Sequence, residues 1–82
     1  MDINEITKEI KELISEVAVV SISEVSVNDS FEADLNIDGV EKAKILNTIA
    51  SRHETEFVNI DVHNINTVQD LIDIVTDNLG IL

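Results

Sequence analysis

Apolar residues recur three and four positions apart in three stretches of the chain, the spacing that places side chains on one face of an α-helix. The first stretch covers residues 2–17, and its apolar positions are Ile3, Ile6, Ile10, Leu13, Ile14 and Val17. Asp2, with Glu5 three residues later, is a typical helix start, because a carboxylate there accepts hydrogen bonds from the free N–H groups of the first turn. We therefore predict an amphipathic helix over residues 2–17.

Two more helices are predicted in the second half of the chain. One runs from Asp38, its capping residue, to about His53, with an apolar side made of Val40, Ala43, Leu46, Ile49, Ala50 and His53. The other begins with the pair Thr67 and Asp70, ends at Gly80, and has a core-facing stripe of Val68, Leu71, Ile72, Val75 and Leu79. Between them, residues 59–65 are long enough for one or two helical turns.

Residues 18–37 lose the helical spacing. Their first half alternates apolar and polar residues and could form a strand, but a single strand would leave its backbone groups without partners. We predict a long loop here, and loops of this length in small domains are usually functional. The sequence thus predicts an all-α bundle of three main helices plus one short helix, in a single domain over residues 1–82, with the long loop after the first helix.

Composition narrows the class of protein. A chain of 82 residues is too short for a two-domain enzyme, and its two aromatic residues, Phe31 and Phe57, leave a core built from aliphatic side chains. The absence of Cys excludes disulfides and thiolate metal sites.

With a formal net charge of −12, the protein is repelled by nucleic acid and by anionic membranes. This charge favours binding either to divalent cations or to partner proteins that have basic patches. The first residues lack a basic, apolar secretory signal, and no apolar stretch approaches the roughly 20 residues that span a bilayer. We expect a cytoplasmic monomer that neither binds nucleic acid nor inserts into membranes.

Two blocks of sequence resemble the acyl carrier protein family. Residues 30–41 read Ser-Phe-Glu-Ala-Asp-Leu-Asn-Ile-Asp-Gly-Val-Glu, which is similar to the family's Ser-Phe-x-x-Asp-Leu-x-x-Asp-Ser-Leu-Asp/Glu, and residues 65–75 are similar to its Ile-x-Thr-Val-x-Asp helix start. The resemblance covers nearly the whole chain. It implies the predicted bundle, a role in fatty acid or polyketide metabolism, an interior that hosts an acyl chain, and a second helix that docks onto partner enzymes.

The chain departs from the family at the attachment site, because the serine that the family esterifies to 4′-phosphopantetheine aligns with Gly39. Glycine has no hydroxyl to attack coenzyme A. Ser30, which follows Asp29, offers another register, but its separation from Thr67 exceeds the family's usual spacing, which Gly39 matches. We therefore expect no cofactor on this sequence, and 4′-phosphopantetheine only if residue 39 is a serine in the native protein. Either the domain acts through protein contacts alone, or it is an unmodifiable variant of a working carrier.

A second departure concerns charge. Three of the five basic residues, Lys42, Lys44 and Arg52, lie on the second helix, where the family carries acidic side chains. This pattern fits either a solvated helix face or an altered choice of partner. The predicted partner-binding residues are Asp38, Val40, Glu41, Lys42 and Lys44.

A cation site is an alternative interpretation of the same region. Asp34, Asn36 and Asp38, followed by Gly39, match the first six positions of an EF-hand calcium loop, which suggests a calcium-dependent interaction module. The twelfth position, normally a bidentate carboxylate, is Ile45. We therefore expect at most weak divalent-cation binding, by Asp34, Asp38 and Glu41.

The sequence shows no set of residues with the spacing of a catalytic site. His53 and His63 lie ten residues apart without paired carboxylates at ligand spacing, and no serine has a nucleophile elbow. His53, at the end of a helix, is expected to stabilise the helix dipole. We predict that the protein is not an enzyme.

Overall fold

The computed structural model describes residues 2–81 and places three α-helices in this range: α1 (Ile3–Ala18), α2 (Gly39–Arg52) and α3 (Val68–Leu79). Two 3-10 turns accompany them, the first at Ile22–Glu24 and the second at Val62–Asn64. Within these residues there is no β-strand, and no helix has the length and apolar character that crossing a membrane requires. The predicted all-α fold is confirmed: it has three main helices, a short helical segment between α2 and α3, and a long loop after α1, which contains a further 3-10 turn.

Side chains fix where the helices start. The Asp2 carboxylate accepts a hydrogen bond from the Glu5 N–H (2.9 Å), so α1 begins as predicted. The other two helices begin with full capping boxes, in which the first and fourth residues each accept a hydrogen bond from the other's backbone N–H. These pairs are Asp38 with Glu41 at α2 and Thr67 with Asp70 at α3. Short-range sequence signals were therefore sufficient to place all three helix starts.

The core is aliphatic around one buried aromatic ring, Phe31. α1 packs against both α2 and α3, and the second 3-10 turn packs against α2. The long loop contributes Val25, Phe31, Leu35 and Ile37 to the core.

The long loop also pairs with the start of α3 through its backbone. The Phe31 N–H donates to the Asn66 carbonyl (3.0 Å), and the Val68 and Gln69 N–H groups donate to the carbonyls of Asp29 (3.1 Å) and Val27 (2.9 Å). The segment is therefore a loop, as predicted, but one fixed to the bundle at its centre.

The buried side of α2 differs from the prediction. Leu46 and Ile49 are buried as expected, but Val40 is 66% exposed, and the remaining buried positions are Lys42 and Ile45. The buried side is rotated because α2 packs against α1 on one side and against the second 3-10 turn on another. Apolar spacing alone was the wrong guide to the orientation of this helix.

Candidate functional site

Gly39, the position predicted to match the attachment serine, is the first residue of α2. The capping box holds the backbone on both sides of it: the Glu41 N–H donates to Asp38 Oδ1 (2.9 Å), and the Asp38 N–H donates to Glu41 Oε1 (3.3 Å). Residue 39 is thus presented on an ordered helix start.

A groove of about 430 Å³ lies beside Gly39, between α2 and the second 3-10 turn. Its lining is mainly apolar, from Gly39, Val40, Ala43 and Val62, with Asp38 and His63 as the polar members. The groove gives position 39 direct access to both solvent and an apolar surface.

A side chain at position 39 would fit this groove. A Cβ atom built on Gly39 would lie 3.7 Å from His63 Cε1 and 3.8 Å from Val62 Cγ2, which are ordinary van der Waals distances. The backbone of Gly39 is also not in the left-handed region, which among the glycines only Gly80 adopts. Neither conformation nor space therefore requires glycine here.

Lys42 was expected on the exposed partner-binding face, but the structure places it inside, with only 3% of its surface accessible. Its Nζ donates a hydrogen bond to the Ile65 carbonyl (2.9 Å), and Glu32 Oε1 lies 3.6 Å away on an exposed side chain. The ammonium also lies 5.9 Å from the centre of the Phe31 ring, within the range of a cation–π interaction. The long side chain is buried because it reaches a carbonyl group that needs a donor in the interior.

A signal for this burial is present in the sequence. Lys42, Ile45, Leu46 and Ile49 follow the i, i+3, i+4, i+7 spacing of a buried helix face. An apolar pattern does not include the lysine, because charged residues are almost never fully buried unless they are paired.

The other two basic residues of α2 are on the surface. Lys44 is exposed, and Arg52 Nη1 lies 3.7 Å from Glu9 Oε2 on α1. Of the predicted partner-binding set, Asp38, Val40 and Lys44 are exposed and Glu41 is half-buried. All four lie at the start of α2, and Asp38 and Val40 also line the groove.

The two histidines lie toward opposite ends of α2. His53 is the residue that ends the helix, and its Nε2 lies 2.9 Å from Glu9 Oε1, so it joins α2 to α1. His63 is exposed beside the groove. The structure therefore does not bring the histidines together.

The three residues of the predicted divalent-cation site each have a hydrogen-bonding role in the structure. Asp34 accepts a hydrogen bond from the Ser30 N–H (2.7 Å), while Asp38 and Glu41 cap α2. α2 begins at the sixth position of the proposed calcium loop, and the twelfth, Ile45, is buried. Over residues 2–81 no three His, Asp or Glu side chains are grouped so as to hold a metal ion.

This chain is similar in sequence to known proteins over most of its length, although no protein-family profile matches it. The chain is 31% identical over 72 residues to the acyl carrier protein of Chlamydia caviae, a match that covers 88% of this chain and 94% of that protein. It is 28% identical to the acyl carrier protein of Buchnera aphidicola subsp. Schizaphis graminum (90% and 94% covered) and 25% identical to that of Coprothermobacter proteolyticus (96% of each). At 31% identity over most of both chains, the chain belongs to the acyl carrier protein family.

Proposed function

We propose that this protein is an acyl-carrier-like domain that bears no prosthetic arm and acts on enzymes of acyl metabolism through protein contacts. The observation that carries the proposal is the glycine at the first position of α2. Attachment of phosphopantetheine requires a nucleophilic oxygen, and residue 39 supplies none.

The surroundings of Gly39 support a chemical rather than a structural reason for this residue. The helix start is capped, the backbone is one that any residue adopts, and a Cβ would meet only ordinary contacts. Glycine at this position removes the attachment chemistry and leaves the scaffold unchanged.

The proposed contact surface consists of Asp38, Val40, Glu41 and Lys44. Val40 provides an exposed apolar contact at its centre, and the charges around it include one cation that lacks an intramolecular salt bridge among the described residues, Lys44. A surface with an apolar centre and mixed charge at the rim is typical of a transient protein interface.

The absence of a prosthetic arm is tested by intact mass. The chain is incubated with coenzyme A and a promiscuous phosphopantetheinyl transferase, and its mass is then measured. The parent chain is expected to keep its mass, whereas Gly39→Ser is expected to gain one phosphopantetheine, because the serine fits at the capped helix start. Gly39→Ala is the matched control and should stay unmodified.

Modification of the parent chain would overturn the proposal, and Ser30→Ala would then show whether the arm is on Ser30. If residue 39 proves to be a serine in the protein isolated from its native source, and that protein bears the arm, the chain is instead a variant of a working carrier.

Cross-linking to proteins of the native source tests the contact surface. Val40→Asp and Lys44→Glu are expected to remove the same cross-linked partners, because both alter one surface. Asn78→Asp, on the exposed side of α3, is the control and should leave them in place. Partners that survive both α2 variants would place the interface elsewhere.

A further inference from the structure

The side chain of Lys42 crosses the interior between α2 and the residue that follows the second 3-10 turn. Its ammonium donates a hydrogen bond to the Ile65 carbonyl and lies near the Phe31 ring. Both Phe31 and Ile65 are fully buried, so the ammonium has apolar surroundings. The interior of this bundle thus contains a cation.

The groove beside residue 39 and the Lys42 side chain belong to the same interface. The groove lies between α2 and the second 3-10 turn, and Lys42, three residues along α2 from Gly39, reaches the end of that turn. An apolar chain anchored at residue 39 that entered the bundle between these elements would meet the ammonium.

Entry of such a chain carries a cost in free energy. The chain would have to break the hydrogen bond between Lys42 and the Ile65 carbonyl or pack against a buried charge, and both outcomes leave polar groups unsatisfied in the interior. This cost offsets the gain from burying a few methylene groups.

We propose that Lys42 closes the interior of this bundle to an apolar chain entering beside position 39, so that this domain, which bears no arm, also keeps no interior site for an acyl chain. This proposal deepens the proposed function, on which it rests for the importance of position 39. It also runs against the expectation, drawn from the family resemblance, that the interior hosts an acyl chain.

The test uses Gly39→Cys, which creates the only thiol in the chain. The thiol is coupled either to ethyl or to decyl methanethiosulfonate, and the melting temperature of each product is measured. The Cβ of residue 39 is directed toward Val62 and His63, so the alkyl group starts in the groove. No transferase is involved, and the outcome is therefore independent of whether the chain can be modified by phosphopantetheine.

With Lys42 in place, the decyl and ethyl products are expected to melt within about 1 °C of each other. In the Lys42→Ala background the decyl product should melt about 5 °C or more above the ethyl product, the shift that burial of a few methylene groups gives a domain of this length. Lys44→Ala, which removes an exposed lysine from the same helix, is the matched control and should behave like the parent.

Two results would overturn the proposal. One is a comparable rise for the decyl product with Lys42 present. The other is no rise with Lys42→Ala or with Lys42→Met, which keeps the side-chain volume, removes the ammonium and serves if the alanine variant does not fold. If instead the rise occurs as expected while the parent chain accepts phosphopantetheine, the closing role of Lys42 stands and only the proposed function is at fault.

Discussion

α3 and α2 have similar starts but bury different kinds of side chain. In α3 the buried residues are those that the apolar spacing indicates, apart from Thr76, whose hydroxyl donates to the Ile72 carbonyl (2.8 Å). In α2 a lysine is buried and a valine of the first turn is 66% exposed. The helix with the predicted attachment position is thus the one that departs from the ordinary pattern of buried apolar residues.

This difference in buried side chains indicates that the two helices have different roles. α3 packs on α1 and stabilises the bundle, whereas the first two turns of α2 border the groove and present Val40 and Lys44 to solvent. Departures from local pattern are expected where a surface serves a function other than packing. The departures on α2, the exposed Val40 and the buried Lys42, lie among the residues of the proposed contact surface.

The largest effect is expected from core truncation in α3. Ile72→Ala should lower the free energy of unfolding by about 2–5 kcal/mol, because a buried side chain is replaced by a cavity. Val40→Ala, the matched truncation on the exposed side of α2, should change it by less than about 0.5 kcal/mol. Urea unfolding measures both, and equal losses would contradict the contrast between the two helices.

The two neighbouring lysines of α2 sharpen the contrast within one helix. Lys42→Ala should cost about 1–3 kcal/mol, because the buried Ile65 carbonyl loses its donor. Lys44→Ala should change the free energy of unfolding by less than about 0.5 kcal/mol. A Lys42→Ala variant as stable as the parent would show that the hydrogen bond contributes nothing to folding.

The sequence predicted those features whose causes lie within a few residues. Caps such as Asp38 with Glu41 depend on neighbours in the chain, and the helix starts were therefore correct. The burial of Lys42 depends on Ile65, 23 residues away, and the contact of His53 with Glu9 joins residues 44 apart. The spacing of Lys42 with Ile45 and Ile49 fits a buried face, but periodicity does not reveal the carbonyl partner that makes burial of a lysine possible. Sequence alone therefore predicts all three basic residues of α2 on the surface, whereas only Lys44 and Arg52 are exposed.

The two capping boxes provide the next comparison. Thr67→Ala and Asp38→Ala should each cost about 1 kcal/mol, because each leaves the N–H of the third helical residue without its side-chain acceptor. Thermal unfolding measures the losses. A negligible loss for Asp38→Ala alone would mean that the start of α2 is held by contacts other than its cap.

The smallest effect expected is the pH dependence of the α3 box. Hydrogen bonds from the Thr67 N–H, and next from the Asn66 N–H and the Thr67 hydroxyl, hold the pKa of Asp70 below its usual value, against an opposing contribution from burial. A carboxyl whose pKa is lower in the folded state stabilises the protein above its unfolded pKa, and this contribution is lost as the pH falls through the folded pKa. Asp70→Asn removes the charge, so the stability difference between parent and variant should be greatest near neutral pH and should shrink in acid. Urea midpoints measured from pH 7 down into the acidic range test this, and a difference that stays constant over that range would show that the Asp70 charge is not what stabilises the start of α3.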